Sequence, residues 1–171
     1  MKKLRIRRID RSNWINWSLI VLKTMRQVFT HRLWWTAKDF DKCLESEKYI
    51  FRLATIKNKF VGFAFGFMVQ PEKELGKMPD GSKVIHLFYL FIDPSFQGNG
   101  YGFELLKDFA WQSKKREFSK LTGMVKQGKS LANRHKLGTK ELRVDKNYDN
   151  TGETYIFCVT DLESIKANRQ Q

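Results

Sequence analysis

Apolar residues recur along this chain in two rhythms, and together they predict an ordered run of elements. Leu4-Arg5-Ile6-Arg7 alternates with period two, as a strand with one covered side does. Ser12 or Asn13 is placed to cap a helix over which Trp14, Trp17, Val21, Met25 and Val28 recur at helical spacing. That stripe reads as core in preference to a substrate cleft. Thr36-Ala37-Lys38-Asp39 has the form of a capping box with Asp in the Glu position, opening a short helix with Phe40, Cys43 and Leu44. Tyr49 to Ile56 reads as a strand, Lys57-Asn58-Lys59 as a tight turn, and Phe60 to Val69 as a second strand. In the latter Gly62, Ala64 and Gly66 alternate with Phe63, Phe65 and Phe67, so one face is small enough for a helix or ligand to approach closely.

A polar stretch from Gln70 to Ser82, with a Pro79-Asp80-Gly81 turn, is a candidate lid. Val84 to Ile92 is apolar apart from His86 and suits a strand covered on both faces, stopped by Asp93-Pro94-Ser95. After a glycine cluster an amphipathic helix follows, carrying Phe103, Leu105, Leu106, Phe109 and Ala110. Lys120 to Val125 is a strand, and Ser130 to Leu137 a short helix with Gly138 as its C-terminal cap. Glu141 to Val144 and Glu153 to Thr160 are two further strands, joined by a polar run from Asp145 to Gly152. The tail from Leu162 to Gln171 reads as frayed.

The chain has 171 residues, which fits a single domain over 1–171 with a real core. Its 14 Phe and five Trp make that core aromatic. No apolar run approaches the roughly 20 residues of a membrane span. The basic start lacks the apolar stretch of a secretory signal. Cys43 and Cys158 stand alone, with no metal-ligand spacing, which predicts reduced thiols, no metal and a cytoplasmic protein. The net charge is +14. Lys114, Lys115, Arg116, Lys120, Lys126, Lys129, Arg134, Lys136, Lys140 and Arg143 crowd one window, opposed there by Glu117 and Glu141 alone. Such clustering makes nucleic acid or another polyanion a candidate partner, against a plain basic surface that draws in an anionic cofactor.

The chemistry is carried by Gln97-Gly98-Asn99-Gly100-Tyr101-Gly102, between a strand and a helix. Glycines there let successive N–H groups turn toward an anion, and the helix start adds unpaired donors. The spacing fits neither the P-loop nor the dinucleotide fingerprint. It fits Q/R-x-x-G-x-G/A through Gln97, Gly100 and Gly102, and so resembles the acyl-CoA pyrophosphate loop of the GNAT N-acetyltransferase superfamily. Leu90-Phe91-Ile92-Asp93-Pro94 resembles the end of that family's fourth strand, and the element order from about residue 3 to 160 resembles its whole fold. The resemblance implies an α+β fold: a mixed, mostly antiparallel sheet with splayed fourth and fifth strands, flanked by helices.

It also implies acetyl-CoA, or another acyl-CoA, as co-substrate. The pantetheine arm would run along Leu90, Phe91 and Ile92, with the pyrophosphate on Gln97, Gly98, Asn99, Gly100, Tyr101 and Gly102. An amine of an acceptor then attacks the thioester directly, which calls for a base, a donor to the thioester oxygen and an acid for the thiolate. The family's fourth helix often reads N-x-x-A-x-x-x-Y-x-K-x-G-F. Matching Lys136 and Gly138 to its K-x-G puts Gln127 on the Asn, Ser130 on the Ala, Arg134 on the Tyr and Thr139 on the Phe. Arg134 cannot donate a proton at neutral pH, its pKa being above about 12, but can stand as a fixed cation. His135 would point some 100° away. Where the family often has a carboxylate on the fourth strand, this chain has Phe88 and Tyr89, so His86 is the nearest base. Tyr89 and Tyr101 are hydroxyl candidates. Two functions follow: an N-acetyltransferase, as monomer or homodimer and without a membrane, or a GNAT-like nucleic-acid-binding or -modifying protein with altered catalysis.

Overall fold

The computed structural model describes residues 3–46, 48–126 and 128–165. Among them seven strands form one sheet: β1 (Arg5–Arg8), β2 (Tyr49–Ile56), β3 (Lys59–Val69), β4 (Lys83–Ile92), β5 (Phe118–Lys126), β6 (Lys140–Asp145) and β7 (Tyr155–Asp161). Their order is β1-β2-β3-β4-β5-β7-β6. Every neighbouring pair is antiparallel except β4 and β5. Parallel strands need a crossover, here the helix α4 (Tyr101–Lys115). Before β2 come α1 (Arg11–Trp14), α2 (Ser18–Val28) and α3 (Ala37–Leu44); after β5 comes α5 (Lys129–His135). The fold matches the mixed α+β sheet expected.

The two faces of the sheet are covered for different reasons. The small residues of β3 accept α4: a Cβ on Gly66 would lie 2.3 Å from the His86 carbonyl oxygen and 2.9 Å from Phe109 Cζ. Leu105, Leu106, Phe109 and Ala110 of α4 pack there with Ala54, Ala64, Ile85 and Leu87. The opposite face is aromatic, with Phe51, Phe63, Phe65 and Tyr89 under Trp14, Val21, Met25 and Phe40. Each such ring, buried completely, contributes roughly 1.5–3 kcal/mol. One buried ion pair joins the layers: Arg52 Nε of β2 donates to Asp108 Oδ2 of α4 at 2.6 Å.

Several boundaries differ from the sequence reading. The first helix breaks in two at Ile15 to Trp17. Its cap is Asp10, neither Ser12 nor Asn13: Asp10 accepts from the Ser12 N–H, and the Asn13 side chain accepts from the Asp10 N–H. Trp14, Val21 and Met25 are core, whereas Val28 is 46% exposed. The capping box at Thr36 and Asp39 is present. The β2–β3 turn is Lys57-Asn58, both with positive φ, and Lys59 already belongs to β3. The helix α5 ends at His135, and Gly138, at φ +73°, donates its N–H to the His135 carbonyl. The tail is not frayed at its start. Leu162 and Ile165 are buried, because Lys114 Nζ ties down the carbonyls of Glu163 and Ile165.

Candidate functional site

Strands β4 and β5 start paired and then part. Their ladder runs from Lys83 opposite Phe118 to His86 opposite Thr122 and goes no further. Beyond it β4 stays with β3 as far as Ile92, and β5 stays with β7 as far as Lys126. A bulge in β4 lies at the parting point: Tyr89 faces Phe65 and Leu87 faces Gly66, leaving Phe88 as the extra residue. A bulge bends and twists its strand, which here turns β4 away from β5. The result is a wedge between two strands.

The glycine loop stands at the open end of β4. Gly98 and Gly100 have φ of +80° and +78°, which explains glycine at both. Gly102 has no such need; its Cβ would meet Ile92 Cγ1 at 3.5 Å and Asn133 Nδ2 at 3.7 Å, ordinary contacts. Gln97 Nε2 donates to the Ile92 carbonyl at 3.0 Å, and Asn99 Nδ2 donates to the carbonyls of Phe96 and Gln97. These side chains brace the loop. Among the described residues the amides of Gly98, Asn99, Gly100, Tyr101 and Gly102 donate to no protein acceptor. A run of free amides at the start of a fifteen-residue helix is an anion site by geometry and dipole. Lys107 and Lys136 lie over the ring of Phe103 in the first turn of the helix, their Nζ atoms 5.8 and 5.5 Å from its centre, and Lys107 also pairs with Glu104 at 3.6 Å.

The side chains at the wedge come from both faces of the sheet. Successive residues of a strand point to opposite faces. Val125 joins Leu131 of α5, Ile156 and Cys158 on one face. Gly123 therefore points to that face as well, and Arg134 rests on it. A Cβ on Gly123 would lie 2.5 Å from Arg134 Nη2 and 3.1 Å from the Leu87 carbonyl oxygen. Arg134 thus reaches inward to the point where the strands part, and only 3% of it is exposed. Burial pushes its pKa down to about 10, so it remains a cation at neutral pH. His135, its neighbour, faces outward and pairs with Glu141 at 2.8 Å.

His86 occupies the other face, its ring near those of Phe88 and Phe157. Its Nδ1 lies 3.0 Å from Thr122 Oγ1, and the Thr122 hydroxyl is directed at the Ile85 carbonyl, 3.4 Å away. That arrangement assigns the ring proton to Nδ1 and leaves the Nε2 lone pair free. Burial, with Arg134 nearby, lowers its pKa from 6.5 to about 4, so the ring is neutral at physiological pH.

Two expected roles change. The Tyr89 hydroxyl donates to the Leu33 carbonyl at 2.5 Å, and burial raises its pKa. Its proton holds the turn His31–Leu33 in place, so Tyr89 is a clamp and not a proton donor to the wedge. The Tyr101 side chain is 8% exposed and belongs to the core under α4, so only its amide faces the loop. Leu90 and Ile92 are half-buried toward α4, whereas Phe91 points into the aromatic core of the opposite face. Gln127 lies outside the described residues. The stretch Gln70 to Ser82 is no free lid: Arg143 of β6 pairs with Glu74 and Asp145. Lys107 and Asn133 escaped the sequence reading, although the i, i+4 step from Phe103 to Lys107 is visible in it, and Lys136 entered it only as a motif position and a member of the basic window.

Three comparisons complete the description. The model of the acetyltransferase (GNAT) family matches residues 9–138, well over half of the chain. A search of curated proteins by sequence finds no match. Among solved structures, NAA60 of Arabidopsis thaliana in complex with acetyl-CoA superposes with a TM-score of 0.77 at 11% identity, over 94% of this chain and 99% of that one. The ribosomal-protein-S18-alanine N-acetyltransferase of Escherichia coli gives 0.66 at 20% identity, over 99% of each chain. A Bacillus subtilis acetyltransferase in complex with CoA gives 0.65 at 15%, over 93% and 99%. At these identities the likeness is one of fold.

Proposed function

The chain belongs to the acetyltransferase (GNAT) family, and on that premise we propose that it transfers an acetyl group from acetyl-CoA to an amine by direct attack on the thioester. The observation that carries this reading is the row of free amides from Gly98 to Gly102 beside the strand that leaves its neighbour after His86. A diphosphate on those amides, with Lys107 and Lys136 beside it, sets the pantetheine arm along the parted edge of β4. The thioester then lies near Leu87 and Gly123, between Arg134 on one face and His86 on the other. That NAA60 and the Bacillus subtilis protein were solved with acetyl-CoA and CoA supports the choice of co-substrate.

The acceptor amine approaches from the His86 face, since α5 and Arg134 close the other. The amine must be neutral to attack. The amine arrives neutral, and once the C–N bond forms its nitrogen becomes acidic enough for the weakly basic Nε2 of His86 to accept the proton and pass it to solvent. Arg134 supplies a fixed positive charge at the thioester end, where negative charge develops.

The basic window does not favour the nucleic-acid reading. Lys120 pairs with Asp161 and Lys126 with Glu153, each at 2.6 Å, Arg116 donates to the Tyr49 carbonyl, and Arg134 is buried. Much of the charge is spent on holding the fold.

Thermal unfolding with and without acetyl-CoA tests the proposal. A ligand that binds the folded state raises the melting temperature by mass action. Gly100→Glu puts a carboxylate among the amides and should abolish the shift. The left-handed backbone itself costs that variant only about 1–2 kcal/mol. An undiminished acetyl-CoA shift in Gly100→Glu would remove the loop from the binding site.

A further inference from the structure

Among the described residues the guanidinium of Arg134 has no counter-charge. Its Nη1 is buried and makes no hydrogen bond among the described residues. It takes part in no ion pair with a carboxylate among them. The groups that feel its charge are the neutral ring of His86 from β4 and the thiol of Cys158 from β7, raised in pKa by burial, and the Leu87 carbonyl lies against the same Gly123. A buried cation left unpaired is strongly destabilising. The fold keeps one here, aimed at the place where two strands part.

We propose that Arg134 is a receptor for the thiolate of free coenzyme A, so that the product of transfer stays in the wedge as an ion pair. This rests on the reading that acetyl-CoA occupies the wedge. Acetyl-CoA presents a neutral thioester, which leaves the guanidinium without a counter-charge. Transfer forms the N–C bond and breaks the C–S bond, with the electron pair going to sulfur. The attacking amine, neutral on arrival, gives up one proton after the C–N bond has formed, through His86 Nε2 to solvent, and none returns to sulfur, because Arg134 stays a cation and has none to give. The thiolate then neutralises the guanidinium and takes up its free N–H. The guanidinium works to lower the pKa of a thiol beside it, as it does at Cys158 against the larger, opposing effect of burial. Free coenzyme A therefore binds more tightly than the acetylated form and acts as a feedback inhibitor of this site.

Calorimetric titration of the intact protein with CoA, desulfo-CoA and acetyl-CoA at neutral pH tests this. Desulfo-CoA keeps the phosphates and the arm but has no sulfur. CoA should bind about tenfold or more tightly than either of the others, the size of one charge-assisted hydrogen bond. The ultraviolet thiolate band should appear when CoA binds. Arg134→Met should bring CoA down to the affinity of desulfo-CoA and remove the band, while Arg134→Lys keeps part of both. Equal binding of CoA and desulfo-CoA by the wild-type protein overturns the proposal, and that comparison needs no variant. Failure of all three to bind would instead bring down the reading of the wedge as an acyl-CoA site, and this proposal with it.

Discussion

His86 is held by Thr122 and stripped of water by its neighbours, and its pKa falls from 6.5 to about 4. The folded state thus binds fewer protons than the unfolded state between those two values. By linkage, stability from this group is complete above about 6.5 and is lost as pH falls toward 4. At full extent it amounts to roughly 3 kcal/mol. Denaturant unfolding followed across that range should show stability dropping with acid, and His86→Gln should flatten the slope there. An unchanged slope in that variant would assign the effect to other groups. The sequence placed His86 on the right strand, because an apolar run with one histidine is visible. It did not show that Thr122, 36 residues away, fixes the tautomer. Tyr89 was misjudged for a similar reason. Its partner is a backbone carbonyl at Leu33, and no side-chain pattern records a carbonyl.

Among the elements, α4 does most to shape the site, since it is the crossover that makes β4 and β5 parallel and its first turn carries the loop. Arg52 and Asp108 pin it to the sheet, with 12% of each side chain exposed. Removing one partner leaves the other buried and charged. Asp108→Ala should therefore cost about 3–5 kcal/mol, read as a fall in the denaturation midpoint. The double change Arg52→Met with Asp108→Leu should recover much of it; an equal loss in both variants would mean that packing, not charge, holds α4. The order of elements was legible because period-two and helical spacings, glycines and capping residues are local signals. The split of the first helix was not, since Trp17 begins α2 without any side-chain cap. Nor was the Arg52–Asp108 pair, whose members stand 56 residues apart.

At the scale of the molecule, the +14 charge does not act as one field. Lys114 holds the segment after β7, Lys120 joins β5 to β7, and Arg143 of β6 holds the stretch before β4, while Lys107 and Lys136 lie over Phe103 of the helix that follows the loop. The wedge itself was foreseen from the resemblance carried by the glycine loop, whereas its bulge at Phe88 and its unpaired Arg134 depend on tertiary contacts. In the proposed complex acyl-CoA sits with its pyrophosphate on the loop and its arm in the wedge. Amide chemical shifts recorded during a titration with acetyl-CoA test it most directly. The largest shifts should fall at Gly98, Asn99, Gly100, Tyr101 and Gly102, with further shifts along Leu87 to Ile92 and at Gly123. Saturable binding that leaves those amides unmoved and shifts residues elsewhere would contradict it.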